Sequence, residues 1–151
     1  MSFDASICLS NRDEIKYFRR MYWLHGLIAC QLANWSSEDR GTSVIANELF
    51  RQFNFNWVIT RKQLKTVLST VELWKATYHD QTMFDHDFVV DGEPCEVTPI
   101  AMFKTFDDVV GQCGINQYGV VVEELDEVIA MLTEILNSYP DIGEFIYWGS
   151  W

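Results

Sequence analysis

The sequence predicts a mainly α, single-domain protein in which residues 1–151 form a helical bundle of about five helices, with a small β-hairpin near 87–98. Three observations lead there. Apolar residues recur at helical spacing in two long stretches, around 15–34 and 121–136, and two Asn/Thr-x-x-Glu/Gln sequences have the form of capping boxes at helix starts. The third is size: a chain of 151 residues, 48% hydrophobic and 15% aromatic, can bury a core as one domain and lies far from the composition of disorder.

Taken in order, Asn11 and Glu14 offer the first capping box. Ile15, Phe18, Tyr22, Leu24, Leu27, Ile28 and Leu32 then continue a helix to about Asn34. The polar run Ser36 to Gly41 breaks it, and Val44, Ile45, Leu49, Phe50 and Phe53 suggest a shorter second helix. Thr60 with Gln63 opens a third, through Leu64, Val67, Leu68, Val71 and Trp74. Its first turn carries Arg61, Lys62 and Lys65, against the preference of a helix N-terminus for negative charge, which is either a small unexplained cost or a sign that those cations meet carboxylates elsewhere. Asp91-Gly92 between Phe88-Val89-Val90 and Cys95-Glu96-Val97 is a hairpin turn, with Pro94 restricting one arm to an edge. Thr98-Pro99 begins a fourth helix to about 113, ended by Gly114. The fifth follows Gly119, with Val121, Leu125, Val128, Ile129, Leu132, Ile135 and Leu136 on one side, and stops near Ser138 before Tyr139-Pro140. A short turn of helix is expected within 141–148, then a tail.

Charge is sorted along the chain. Residues 1–75 hold ten Lys/Arg against seven Asp/Glu, net +3, whereas residues 76–151 hold one Lys against fifteen Asp/Glu, net −14, giving the overall −11. Such a surface repels bare nucleic acid and anionic membrane and attracts a basic protein. The fifth helix makes this concrete, because Glu123, Glu124, Asp126, Glu127 and Glu134 lie opposite its apolar side with no Lys or Arg in the helix. Like-charge neighbours there cost roughly 0.2–0.5 kcal/mol each. Four carboxylates within 123–127 place roughly one charge per 1.9 Å of helix axis, near the ~1.7 Å of duplex DNA, a local imitation of a phosphate rail.

Other chemistry finds little footing. The segment 79–87 contains two His and three Asp within nine positions, so His79, Asp85, His86 and Asp87 could hold zinc, iron or manganese. They lack the i, i+4 histidine pair of H-E-x-x-H, and Asp, His and Thr are also ordinary turn residues. His25, within an apolar helix, reads as a hydrogen-bonded core residue. Cysteines 8, 30, 95 and 113 show no C-x-x-C or zinc spacing and read as reduced thiols of a cytosolic protein. There is no nucleophile elbow and no phosphate-binding glycine loop. The start of the chain has no secretory pattern, and Met21 to Trp35, interrupted by His25, Gln31 and Asn34, is too short to cross a bilayer. No enzyme activity and no cofactor are expected.

Trp23, Trp35, Trp57 and Trp74 sit within apolar periodicity and belong to the core, whereas Tyr147, Trp148 and Trp151 either dock back on the fold or anchor a partner. Tyr139-Pro140-Asp141-Ile142-Gly143-Glu144-Phe145-Ile146-Tyr147-Trp148 resembles the segment with which the small helical colicin-DNase immunity proteins bind their basic toxins. The resemblance covers about ten residues, and chain length and the remaining pattern depart from that family, so it implies no shared fold. It does add Asp141, Glu144, Tyr147 and Trp148 to the interface candidates.

The sequence therefore points to a cytoplasmic, stoichiometric acidic inhibitor of a basic nucleic-acid-handling protein such as a nuclease, toxin or defence effector. Two versions fit: an immunity or antitoxin protein, and a viral or plasmid-borne anti-restriction or anti-CRISPR inhibitor that partly imitates DNA. The alternatives are a small metal-dependent hydrolase using 79–87 and an acidic adaptor or chaperone-like module.

Overall fold

The computed structural model describes residues 3–34, 39–77, 89–90, 93–94 and 122–151. It replaces the expected helical bundle with an α+β architecture. Among the described residues, four helices pack with a four-stranded antiparallel sheet of order β2-β1-β6-β3. The elements are β1 (Asp4–Cys8), β2 (Glu14–Arg19), α1 (Tyr22–Leu32), α2 (Arg40–Phe50), β3 (Asn54–Thr60), α3 (Arg61–Thr77), β4 (Val89–Val90), β5 (Glu93–Pro94), α4 (Val122–Ser138) and β6 (Glu144–Ser150). The short strands β4 and β5 pair antiparallel, Val89 opposite Pro94 and Val90 opposite Glu93. The expected fourth helix at 99–113 lies outside the described residues.

Three corrections explain the change of class. The helix expected over 15–34 begins as a strand. Asn11 caps a turn rather than a helix, its Oδ1 accepting from the Asp13 N–H at 3.0 Å, while Arg12 at φ 74° reverses the chain so that β2 folds back on β1. Glu14 reaches Ser6 on β1 instead of a helix N-terminus: the Ser6 hydroxyl donates to Glu14 Oε1 at 2.7 Å. Arg20 at φ 58° then ends β2, and α1 starts at Tyr22. The second correction is β3, where Phe55, Trp57 and Ile59 alternate with Asn54, Asn56 and Val58 at the two-residue period of a half-buried strand. The third is β6: the region expected to add a turn of helix is an inner strand, with Phe145 and Tyr147 facing the core and Glu144 and Trp148 facing out.

The helices cover one face of the sheet. Ala5, Ile7, Phe18, Phe55, Ile59, Phe145 and Tyr147 pack against Leu24, Leu27 and Ile28 of α1, Leu64, Val67 and Val71 of α3, and Leu125, Val128, Leu132 and Ile135 of α4. Helix α1 has no wet side, since every residue from Trp23 to Cys30 is buried. Ala29, Cys30 and Ala33 meet Ala46 and Phe50 of α2, where small side chains let the two helices approach. Gly149 is required by close approach, because a Cβ there would lie 2.0 Å from the Asp4 carbonyl oxygen and 2.9 Å from the Phe55 ring.

At the centre sits His25, 0% exposed. Its Nε2 faces the Phe50 carbonyl oxygen at 3.2 Å, which can only accept, so Nε2 carries the hydrogen. That leaves Nδ1 to accept from the Tyr147 hydroxyl at 2.8 Å. The rings of Phe3, Phe50, Phe55, Trp57, Tyr147 and Trp151 surround the imidazole, Trp57 stacking at 5.2 Å. Burial lowers the His25 pKa to about 3, against which the Phe50 carbonyl works weakly, and burial raises that of Tyr147 well above its ordinary value.

Helices α3 and α4 run antiparallel, and Arg61 closes one end of the pair. Its guanidinium donates to the carbonyls of Leu136 at 2.7 Å, Tyr139 at 2.8 Å and Ile142 at 3.3 Å, while its own N–H donates to Gly143 O at 2.8 Å. The cation that contradicts its own helix N-terminus thus satisfies the C-terminal carbonyls of its neighbour. Thr60 and Gln63 form the expected capping box, with Gln63 N–H donating to Thr60 Oγ1 at 3.1 Å and Thr60 N–H to Gln63 Oε1 at 2.8 Å.

Two outcomes are expected. Between pH 6.5 and about 3 the unfolded chain binds a proton at His25 that the native state does not, so stability falls as pH falls, by up to about 1.4 kcal/mol per unit. Urea unfolding from pH 7 to 5 will show this, and His25→Gln, less stable at pH 7, will lose that part of the slope. Arg61→Ala will lower unfolding free energy by about 2 kcal/mol, and Arg61→Lys will recover only part, because an ammonium cannot reproduce the fork that spans three carbonyls.

Candidate functional site

Two surfaces carry candidate residues. The first is the outward side of α4 and the turn that follows it. Leu125, Val128, Leu132 and Ile135 turn inward, which directs Asp126, Glu127 and Glu134 to solvent at helical spacing. Asp141, in the turn, and Glu144, at the start of β6, are exposed as well. The acids expected on this helix do not share one condition. Glu124 is half-buried and accepts from Trp23 Nε1 at 3.2 Å, and Asp126 pairs with Lys75 of α3. Glu127, Glu134, Asp141 and Glu144 make no ion pair among the described residues. The Glu123 side chain, with His79, Asp85, His86 and Asp87, lies outside the described residues.

Sequence reasoning counted no cation within α4 and named Arg61, Lys62 and Lys65 on α3 without setting them against it. Lys75 and Arg61 meet α4 at its two ends, one through a carboxylate and the other through carbonyls. Lys62 and Lys65, by contrast, line a shallow depression on α3 with Thr66, Ser69 and Thr70. The two neighbouring helices therefore display opposite signs to solvent.

The second surface is the outer face of the sheet, which the expected bundle did not contain. Pairing registers set rows of side chains across it: Arg19, Asp4, Ser150 and Asn54; Tyr17, Ser6, Trp148 and Asn56; Glu14, Cys8, Ile146 and Val58. A groove of about 570 Å³ runs over the first two rows and is bordered by Arg12 and Glu14. Tyr17 and Trp148, 47% and 43% exposed, stand two strands apart, roughly 10 Å, with the small Ser6 between them. The groove's acids are already engaged. Asp4 accepts from the Tyr17 hydroxyl at 2.6 Å, which raises the Tyr17 pKa, and it also pairs with Arg19 Nε at 2.9 Å, while Glu14 holds Ser6. Two rings around a small polar floor, flanked by the amides of Asn54 and Asn56, can hold a flat or extended group.

The C-terminal aromatics separate by strand alternation. Tyr147 is 0% exposed and belongs to the His25 cluster, so it offers no surface to a partner. Trp148 points to the outer face, its Nε1 donating to Cys8 Sγ at 3.0 Å, and Trp151 folds back, its Nε1 donating to Phe50 O at 3.2 Å. Cys8 and Cys30 are free, buried thiols, and burial pushes Cys30 up to about 12 and Cys8 above its ordinary value. Among the described residues, no group of three or more His, Cys, Asp or Glu is placed to hold a metal ion, and no helix is long and apolar enough to cross a membrane. The groove's signal in the sequence was the alternation Asn54-Phe55-Asn56-Trp57-Val58-Ile59, read at period two.

No protein family, characterised protein or solved structure matches this chain.

On the acidic-inhibitor reading, the His79–Asp87 segment holds no functional metal. Dialysis against EDTA should leave the melting temperature unchanged, whereas stoichiometric zinc or manganese whose removal lowers it would favour the hydrolase.

Proposed function

We propose that this protein acts by binding: it is an acidic inhibitor that engages a basic protein, of the kind that handles nucleic acid, through the exposed carboxylates of α4 and the segment leading into β6. The observation that supports the reading is that Glu127, Glu134, Asp141 and Glu144 are exposed and without an ion pair among the described residues, within a half-chain of net −14. A one-signed acidic face also serves solubility, but fold stability alone would place cations among these acids.

The parts divide the work. Glu127 and Glu134 are seven residues apart, about 10.5 Å along α4 and nearly in line on it, a spacing suited to successive basic groups in a cleft. Carboxylates of this kind speed encounter and fix orientation, while residence time comes from desolvated apolar anchors. Trp148 is the exposed aromatic anchor, on the outer face of β6 with Glu144, four residues earlier; that face and the outward side of α4 lie on opposite sides of the sheet, so a partner that takes both wraps the Asp141 turn that joins them. Asp126 and Glu124 act within the fold, and Lys62 and Lys65 on α3 bias the partner's basic patch toward α4.

The test replaces Glu127, Glu134 and Glu144 by Gln and Asp141 by Asn in one variant, with folding checked by circular dichroism. Immobilised wild-type protein should retain from its host a basic nucleic-acid-handling protein that the variant releases. With that protein in hand, stopped-flow association should slow steeply from 0.1 M to 1 M salt, as the Debye length falls from about 10 Å to about 3 Å. Trp148→Ala should raise the off-rate, with a loss of roughly 2 kcal/mol at a true anchor. Equal retention by the variant, or a salt-insensitive on-rate, overturns the reading.

A further inference from the structure

The free edge of β3 has a backbone pattern that matches itself. In an antiparallel pair, opposed residues alternate between those that exchange both backbone hydrogen bonds and those whose N–H and C=O point away. The phase is set at both ends of β3. Trp151 N–H donates to Phe53 O at 2.9 Å, and Arg61 N–H donates to Gly143 O at 2.8 Å, continuing the register in which Phe55, Trp57 and Ile59 face Gly149, Tyr147 and Phe145. These odd-numbered residues direct their backbone groups to β6. Those of Asn54, Asn56, Val58 and Thr60 point the other way, where the sheet has no further strand among the described residues. Thr60 turns its N–H back to Gln63, and its carbonyl opens α3. Three N–H and three C=O groups, those of Asn54, Asn56 and Val58, are left without a partner among the described residues.

Edges of this kind are normally guarded by charge, proline or a bulge. The opposite edge of the sheet is: β2 carries exposed Glu14, Lys16 and Arg19, and its pairing shifts register between Ile7 and Cys8. Strand β3, Asn-Phe-Asn-Trp-Val-Ile-Thr, has no charge and no proline over seven residues. Apolar surface adjoins it. Val58 is 50% exposed, and Phe53 just before the strand is 58% exposed.

We propose that β3 pairs antiparallel with β3 of a second copy of this chain about a two-fold axis at Asn56, joining two four-stranded sheets into one of eight strands. In that register Asn54 opposes Val58 of the second copy, Asn56 opposes its own counterpart, and Val58 opposes Asn54. All three are hydrogen-bonded pairs, so the six free groups of each chain are satisfied at once. A slip by two residues in either direction leaves groups unpaired. The two Asn56 amides meet across the axis on the outer face, and no like charges are opposed. An uncharged edge gains nothing from a basic strand in particular, whereas it fits its own copy without repulsion. The net charge of −11 per chain resists association at long range and is screened beyond about 8 Å at physiological ionic strength. Self-pairing therefore strengthens with salt, the opposite of the response expected for a basic partner, so the two proposals fail separately.

Sedimentation of the full chain across a concentration series, at 0.05 M and 0.5 M salt, should show a two-chain species favoured at the higher salt. Amide exchange at Asn54, Asn56 and Val58 should slow as that species forms, with Phe55, Trp57 and Ile59 unaffected. Asn56→Lys sets two ammonium groups opposite each other, and Asn56→Pro deletes an N–H that points away from β6. Each should keep the monomer folded by circular dichroism and weaken self-association by about tenfold or more. If Asn56→Pro fails to fold, Asn56→Lys decides. A chain that stays monomeric throughout, or a dimer that survives Asn56→Lys with those three amides still exchanging fast, overturns the proposal.

Discussion

The hydrogen bonds of one uncharged imidazole tie together three separate parts of the chain at the core. His25 comes from α1, Tyr147 from β6 and the Phe50 carbonyl from the last turn of α2, a group with no partner inside its own helix. Trp151 donates to the same carbonyl. Removing any member leaves a buried polar atom unsatisfied, which costs more than the hydrogen bond itself contributes. The surrounding rings of Phe3, Phe55 and Trp57 belong to the N-terminal approach to β1 and to β3, so the cluster also sets the angle at which α1 crosses the sheet.

A second constraint governs the charge pattern. Arg61 in the first turn of α3 looks misplaced when α3 is considered alone. It is explained by the antiparallel neighbour, whose last carbonyls lie against that turn. Lys75 plays the matching role at the other end through Asp126. The acids of α4 that keep no such tie are those in the middle and at the exit of the helix, and this is why the proposed contact surface runs along Glu127 and Glu134 and on into Asp141 and Glu144.

The helices were legible because their signals are local. Thr60 with Gln63 and the apolar stripe of α4 are complete within one stretch of chain, and both stand in the structure. Strands were misread where a two-residue alternation was brief or sat beside helical spacing. Ile15 and Phe18 are three apart, as in a helix, yet a turn made by Asn11 and Arg12 pairs their segment with β1, an arrangement that no window of sequence around them contains. The same holds for β6, whose identity depends on Ile7 and Trp57, each more than eighty residues away. Of the candidate site, the acidity was readable from composition. Which acids are free was not, because that depends on Trp23, Lys75 and the packing of α3 on α4. The outer groove, built from rows across three or four strands, could not be seen before the sheet was known.

The order of synthesis gives the sheet a vectorial problem. Strand β6 lies between β1 and β3, yet it follows both in the chain, so Asp4 must wait for Ser150 and Asn54 for the same residue. Until β6 emerges from the ribosome, the β1–β2 hairpin shows an unpaired inner edge, and β3 shows two. Closing contacts of such long sequence separation is slow, and open edges in that interval invite mispairing with neighbouring nascent chains. The helices α3 and α4, held to each other by Arg61 and Lys75, both precede β6 in the chain, so the helical pair can form before the sheet closes.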